Sequence, residues 1–257
     1  VIAGLHPLQL LGALASGILF VLIFPSWDLG PLAWVALVPL LVSVWTVAPG
    51  AAFRLGFLAG IVGYGGVMTW IGVFGIPAWL MLSLGMAAFL GGFAAAASAL
   101  VRHYGRGSGV AWLWAAPLTW IAVEVARSVG PLAFPWGLLG LTQHRSPEIL
   151  TLAPWIGAWG IGALIVLVNT AVAGLLRERR VRLPAVIVVL GAFAAIGTAN
   201  RTAPAGPRAI RVVAAVQPNL APQVRGDPAT SAAIVEGLLA QTQEARSAGA
   251  EVIVYPE

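Results

Sequence analysis

Glu257 stands directly after the run Val252-Ile253-Val254-Tyr255-Pro256. A carboxylate just beyond the C-terminal end of a parallel strand sits where open α/β sheets place reactive groups. There it could act as a general base, the alternative being an ordinary surface Glu after a strand. Glu124 and Arg127 lie three residues apart in an otherwise apolar stretch, where an ionisable residue is costly and is paired or faces water. Their spacing permits a salt bridge that fixes helix packing, or a role in substrate access. Phe134-Pro135-Trp136, followed by Gln143 and His144, makes an aromatic and polar loop. A Trp there also suits a plain interfacial anchor, and a lone His a structural one. The chain has no cysteine and no lysine, which removes disulfides, thiolate metal sites, a Cys nucleophile and a Lys base from within these residues. Gly63-Tyr64-Gly65-Gly66 lacks a phosphate-loop pattern, so no nucleotide site is assigned.

The elements that position these groups follow from composition. Of the 257 residues, 60% are hydrophobic and 9% charged, with a mean hydropathy of +0.93. Soluble domains carry about 25% charge, so this chain is solvated largely by lipid. The net charge of +5 comes from 14 arginines scattered through apolar sequence, which excludes a nucleic-acid-binding stripe. A hydrocarbon core about 30 Å thick needs roughly 20 apolar residues per helix. Seven segments approach that length, near 7–24, 31–47, 55–74, 77–101, 110–129, 154–176 and 183–199. The first lacks a basic leader and a small-residue cleavage site and reads as a retained span. Gly91, Gly92 and Ala94 to Ala97 are small residues that let helices approach closely. Trp27, Trp34, Trp45, Trp70, Trp79, Trp112 and Trp155 read as belt residues.

Arginine placement sets the orientation. With the N-terminus cytoplasmic, inside loops carry Arg54, Arg102, Arg106, Arg177, Arg179, Arg180 and Arg182, while outside loops carry Arg127 and Arg145. The positive-inside rule favours that arrangement, and seven spans then place everything after about residue 200 on the extracytoplasmic face.

Past Arg201 the composition changes. Residues 1–200 form the membrane domain, 201–209 a Pro-rich linker, and 210–257 the beginning of a water-exposed domain. Ile210 to Gln217 reads as a strand ended by Pro218-Asn219. Asp227 to Ala248 reads as an amphipathic helix with Ile234, Leu238, Gln241 and Ala245 on one face. Glu251 to Tyr255 reads as a second strand, parallel to the first through a right-handed crossover. Two parallel strands cannot bury both their faces, so this domain reads as cut short.

Taken in order, Phe24-Pro25, Trp34, Leu37-Val38-Pro39-Leu40, Gly56-Phe57, Gly60, Trp70-Ile71, Trp120 with Glu124 and Arg127, Phe134-Pro135-Trp136 with Gly140 and Gln143, Val216-Gln217-Pro218-Asn219 and Val254-Tyr255-Pro256-Glu257 resemble the pattern of apolipoprotein N-acyltransferases. The resemblance covers residues 20–257. It implies a membrane α-helical bundle followed by the start of an extracytoplasmic nitrilase-like α-β-β-α sandwich, in the bacterial inner membrane. The reaction it implies is ping-pong acyl transfer. A cysteine takes an acyl chain from a phospholipid donor as a thioester and passes it to the diacylglyceryl-modified N-terminal cysteine of an apolipoprotein acceptor.

Within the family's Glu-Lys-Cys triad the base maps to Glu257. Trp136, Gln143, Glu124, Arg127, Gln217 and Asn219 are the expected substrate contacts, with no cofactor, metal or nucleic acid involved. With neither Lys nor Cys present, the chain reads as an inactive N-terminal portion. Arg225-Gly226 replaces a Lys-Trp often seen in the family, which puts a Trp-mediated lipid contact there in doubt. Two other readings stand beside this one. The first is an acyltransferase-like anchor fused to a polyprenyl-phosphate glycosyltransferase, with which the lysine-free, arginine- and alanine-rich composition is compatible. The second is a transporter, which would need more ionisable groups near the membrane midplane.

Overall fold

A computed structural model describes residues 5–104, 109–131, 133–202, 211–217 and 228–255. The chain divides into two compact units, Val1–Ala203 and Pro204–Glu257.

The first unit is helical. α1 (Pro7–Leu22) starts at a reciprocal cap, in which the His6 ring accepts from Leu8 N and the Gln9 side chain accepts from His6 N. It ends ahead of Pro25, whose ring disfavours helix in the residue before it. The segment expected to be one span over 31–47 is instead broken into a 3₁₀ turn (Gly30–Leu32), α2 (Ala33–Ala36) and α3 (Val38–Val44). Pro39 removes one amide from this stretch, and freed backbone groups in lipid each cost several kcal/mol unless repaired. The repair comes from other helices. Asn169 accepts from Leu37 N at 2.8 Å and donates to Ala33 O at 2.8 Å, and Ser16 Oγ accepts from Leu40 N at 2.8 Å.

α4 (Pro49–Val67) and α5 (Ile76–Tyr104) are joined through a 3₁₀ stretch, Thr69–Phe74, and pack along their lengths. They approach closely at Gly56 and Gly60, where a Cβ would fall 2.6 Å from Leu90 O and 2.6 Å from Ala87 Cα respectively. Ala94 and Ala97 are buried, as close packing requires, whereas Gly92 has open space beside it. α6 (Trp112–Ala126) packs on α5 and on α8 (Ala153–Arg177), with the single turn α7 (Pro147–Leu150) between α6 and α8. α9 (Arg182–Thr202) lies against α8 and leaves Leu183, Leu190 and Phe193 exposed on its other side.

Among the described residues, five helices are long and apolar enough to cross a membrane: Pro49–Val67, Ile76–Tyr104, Gly109–Ala126, Ala153–Arg177 and Arg179–Arg201. The first two of the seven expected spans fall short of that length. α1 has 16 residues, about 24 Å of helix at 1.5 Å per residue, and the second is the broken segment.

In the second unit β1 (Val213–Ala215) pairs in parallel with β2 (Val252–Val254), Val213 opposite Val252 and Ala215 opposite Val254. α10 (Pro228–Ser247) connects them. The half-buried stripe of α10 is Ile234, Leu238, Thr242 and Ala245. Gln241 is exposed, and Thr242 Oγ1 instead meets Tyr255 Oη at 2.8 Å. Strand, helix and parallel strand are in the expected order. Among the described residues this unit has two strands and one helix, and the expected sandwich is not seen in them.

Candidate functional site

The last turn of α6 turns Glu124 and Arg127 to one side of the helix, and both side chains are 1% exposed. Arg127 Nη2 lies 3.4 Å from Glu124 Oε1, a loose pair by itself. What surrounds it is tighter. Arg127 Nη1 donates to the carbonyl of Trp136 at 2.6 Å and Nη2 to that of Gly137 at 2.9 Å, while Glu124 Oε1 accepts from Leu139 N at 2.9 Å. The two opposite charges thereby satisfy both senses of backbone polarity in one returning segment, where a buried peptide group left unpaired would cost about 1–3 kcal/mol. The guanidinium also sits 5.8 Å from the centre of the buried Tyr64 ring. α8 comes close to this carboxylate at Gly162, where a Cβ would lie 3.0 Å from Glu124 Oε2, a tight contact that would push the carboxylate aside.

Gln143 closes the other end of the segment. Its Nε2 donates to Gly30 O at 2.9 Å and to Thr142 Oγ1 at 2.9 Å, and its Oε1 accepts from Trp34 Nε1 at 3.1 Å. Gln143 is buried, so the amide works as a latch onto the 3₁₀ turn that opens the broken second segment. Outside it, Asp28 Oδ2 receives Arg145 Nε at 2.9 Å and lies 3.5 Å from His144 Nε2. Arg145 is 76% exposed, and an ion pair this open adds little stability.

Held at both ends, the segment presents Trp136, which is 51% exposed and packs 4.8 Å from the half-exposed Trp70 ring, with Phe134 6.4 Å away on the same cluster. Beneath Trp136 opens a cavity of about 240 Å³ with largely apolar walls from Ile23, Phe24, Pro25 and Leu141, and with Asp28 and His144 among its lining residues. An exposed indole over an apolar cavity, with polar groups beside it, can hold a molecule that is itself apolar at one end and polar at the other.

Of the residues singled out from sequence, Glu124, Arg127, Trp136 and Gln143 come together here. Gln217 is exposed after β1 in the second unit, and Asn219 and Glu257 lie outside the described residues. Sequence reasoning missed Asp28, Tyr64, Thr142 and Gly162. It also read Trp34 and Trp70 as belt residues, although Trp34 anchors Gln143 and Trp70 packs on Trp136. Trp45 and Trp112, given the same reading, are buried and stacked on each other at 5.4 Å, whereas Trp27 and Trp155 are exposed as a belt requires. Among the described residues no group of three or more His, Cys, Asp or Glu side chains could hold a metal ion.

A helical membrane protein with a clamped aromatic segment over an apolar cavity is the class this arrangement defines. The family described as apolipoprotein N-acyltransferase N-terminal domain matches residues 16–171. Among curated proteins, the apolipoprotein N-acyltransferase of Geobacter metallireducens is 32% identical over 95% of this chain and 50% of its own length. That of Gloeobacter violaceus is 30% identical over 96% and 50%, and that of Azotobacter vinelandii 31% over 95% and 50%. The chain belongs to the apolipoprotein N-acyltransferase family. It spans about half the length of these curated relatives.

Proposed function

We propose that this chain forms the membrane half of an N-acyltransferase, receiving a phospholipid acyl donor and serving transfer of its acyl chain to the N-terminal diacylglyceryl-cysteine of an apolipoprotein. The observation that carries the reading is the presentation of Trp136. Three buried polar side chains, Glu124, Arg127 and Gln143, are spent on holding one segment, and what that segment shows to the outside is an indole over an apolar cavity. In this account Trp136 touches the lipid and the buried three position it. The names of the relatives support the acyl-transfer chemistry.

Transfer through a thioester needs a thiol nucleophile, and a lysine would stabilise the tetrahedral oxyanion. Neither residue type is among these 257, so in this account both come from residues outside them. Glu257 supplies the base, taking the thiol proton on attack and returning it to the leaving group. The orientation has the N-terminus cytoplasmic, α1 and the broken second segment counting among seven spans, and the second unit extracytoplasmic. Trp136→Ala tests the reading, with thioester formation as the measured quantity.

A further inference from the structure

α5 begins two residues after the 3₁₀ stretch that carries Trp70 and runs for 29 residues, about 44 Å at 1.5 Å per residue. That length crosses the hydrocarbon core and reaches headgroup depth at the far side. Arg102 lies in its last turn. There a cavity of about 250 Å³ opens among the turn after α3, the end of α5, the start of α6 and the residue following α8, Glu178. Its floor is the Trp45–Trp112 stack, fixed by Trp112 Nε1 donating to Trp45 O at 3.2 Å, with Ser98 Oγ donating to Val47 O at 2.8 Å beside it.

Two opposite charges line this cavity. Arg102 is exposed and Glu178 half-buried, and among the described residues neither forms an ion pair, with the other or with any third group. A guanidinium and a carboxylate held apart over an apolar aromatic floor suit a ligand that carries both a phosphate and an ammonium group. A purely anionic ligand would meet the Glu178 carboxylate, and a purely cationic one would meet Arg102 with Arg177, Arg179 and Arg180 close in sequence to Glu178.

We propose that this cavity binds the headgroup of a zwitterionic aminophospholipid, with Arg102 on the phosphate and Glu178 on the primary ammonium. The site is at the opposite end of α5 from Trp136 and goes beyond the donor site proposed above.

The test uses the full chain in nanodiscs, with phosphatidylethanolamine, phosphatidylcholine and phosphatidylglycerol of matched chains supplied in turn and the retained lipid read by native mass spectrometry. Charge-assisted hydrogen bonds from a primary ammonium predict retention of phosphatidylethanolamine about tenfold above the other two. This comparison needs no variant. Glu178→Gln should erase the preference over phosphatidylglycerol and Arg102→Gln should lower retention of all three, and both effects should persist in a Trp136→Ala background, where the donor contact proposed above is already lost. Equal retention of the three lipids overturns the proposal. So does a preference that survives Glu178→Gln, in the original protein or in the Trp136→Ala background, and so does displacement of the lipid by inorganic phosphate, which would mark a free-anion site.

Discussion

Arg127 Nη1 and the carbonyl oxygen of Trp136 are 2.6 Å apart, so the buried cation at the end of α6 grips the backbone of a residue whose indole is half exposed. Side chain and backbone of Trp136 thus have separate tasks. Removing the grip should disturb presentation of the indole without touching the indole itself.

Arg127→Met leaves Glu124 buried and unpartnered on its charged side, a loss that costs about 3–5 kcal/mol for a buried pair broken at one end. Replacing both residues, Glu124→Gln with Arg127→Met, should recover part of that loss, because no isolated charge remains. Unfolding of the detergent-solubilised protein, followed by tryptophan fluorescence, checks the order. A double variant less stable than either single one would show that the two residues do not act as a pair.

The Glu124–Arg127 relation was legible from spacing alone, because positions three apart on a helix share a face. What the pair holds was not. The partners of Arg127 are carbonyls nine and ten residues on, and those of Gln143 are Gly30 and Trp34, more than a hundred residues back. No periodicity reports such pairings. The break in the second segment had a local sign in Pro39, yet the backbone is repaired there by Asn169, 132 residues from Leu37, so hydropathy alone read one span. In α10 the apolar stripe was placed one residue off at its centre, because the Thr242 hydroxyl finds Tyr255 and turns inward where Gln241 does not. Tryptophan position was the least legible signal, since a belt residue and a stacked core pair such as Trp45 and Trp112 have the same composition.

The proposed topology rests on the arginine asymmetry. An accessibility reporter fused near residue 205 should respond only from the extracytoplasmic side, and one placed at 177–182 only from the cytoplasm. A cytoplasmic response at 205 would invert the orientation and remove the basis for extracytoplasmic acyl transfer.

Glu257→Gln, introduced into the complete enzyme, keeps the size of the side chain and removes proton acceptance. A general base is worth about 10²- to 10⁴-fold in rate, so the variant should insert and bind phospholipid while forming the thioester at least about a hundredfold more slowly. A surface role predicts almost no change. Single-turnover acylation separates the two.

The most direct measurement for the account as a whole is thioester accumulation in Trp136→Ala of the complete enzyme, set beside its unfolding midpoint. Deleting an indole that is 51% exposed, and whose backbone stays held by Arg127, should leave the bundle close to its original stability. Acylation by phospholipid should slow by about tenfold or more if the ring contributes about 1.4 kcal/mol to holding the lipid in place for reaction. Undiminished thioester formation with a lowered midpoint would contradict the account and leave Trp136 as an anchor of the fold.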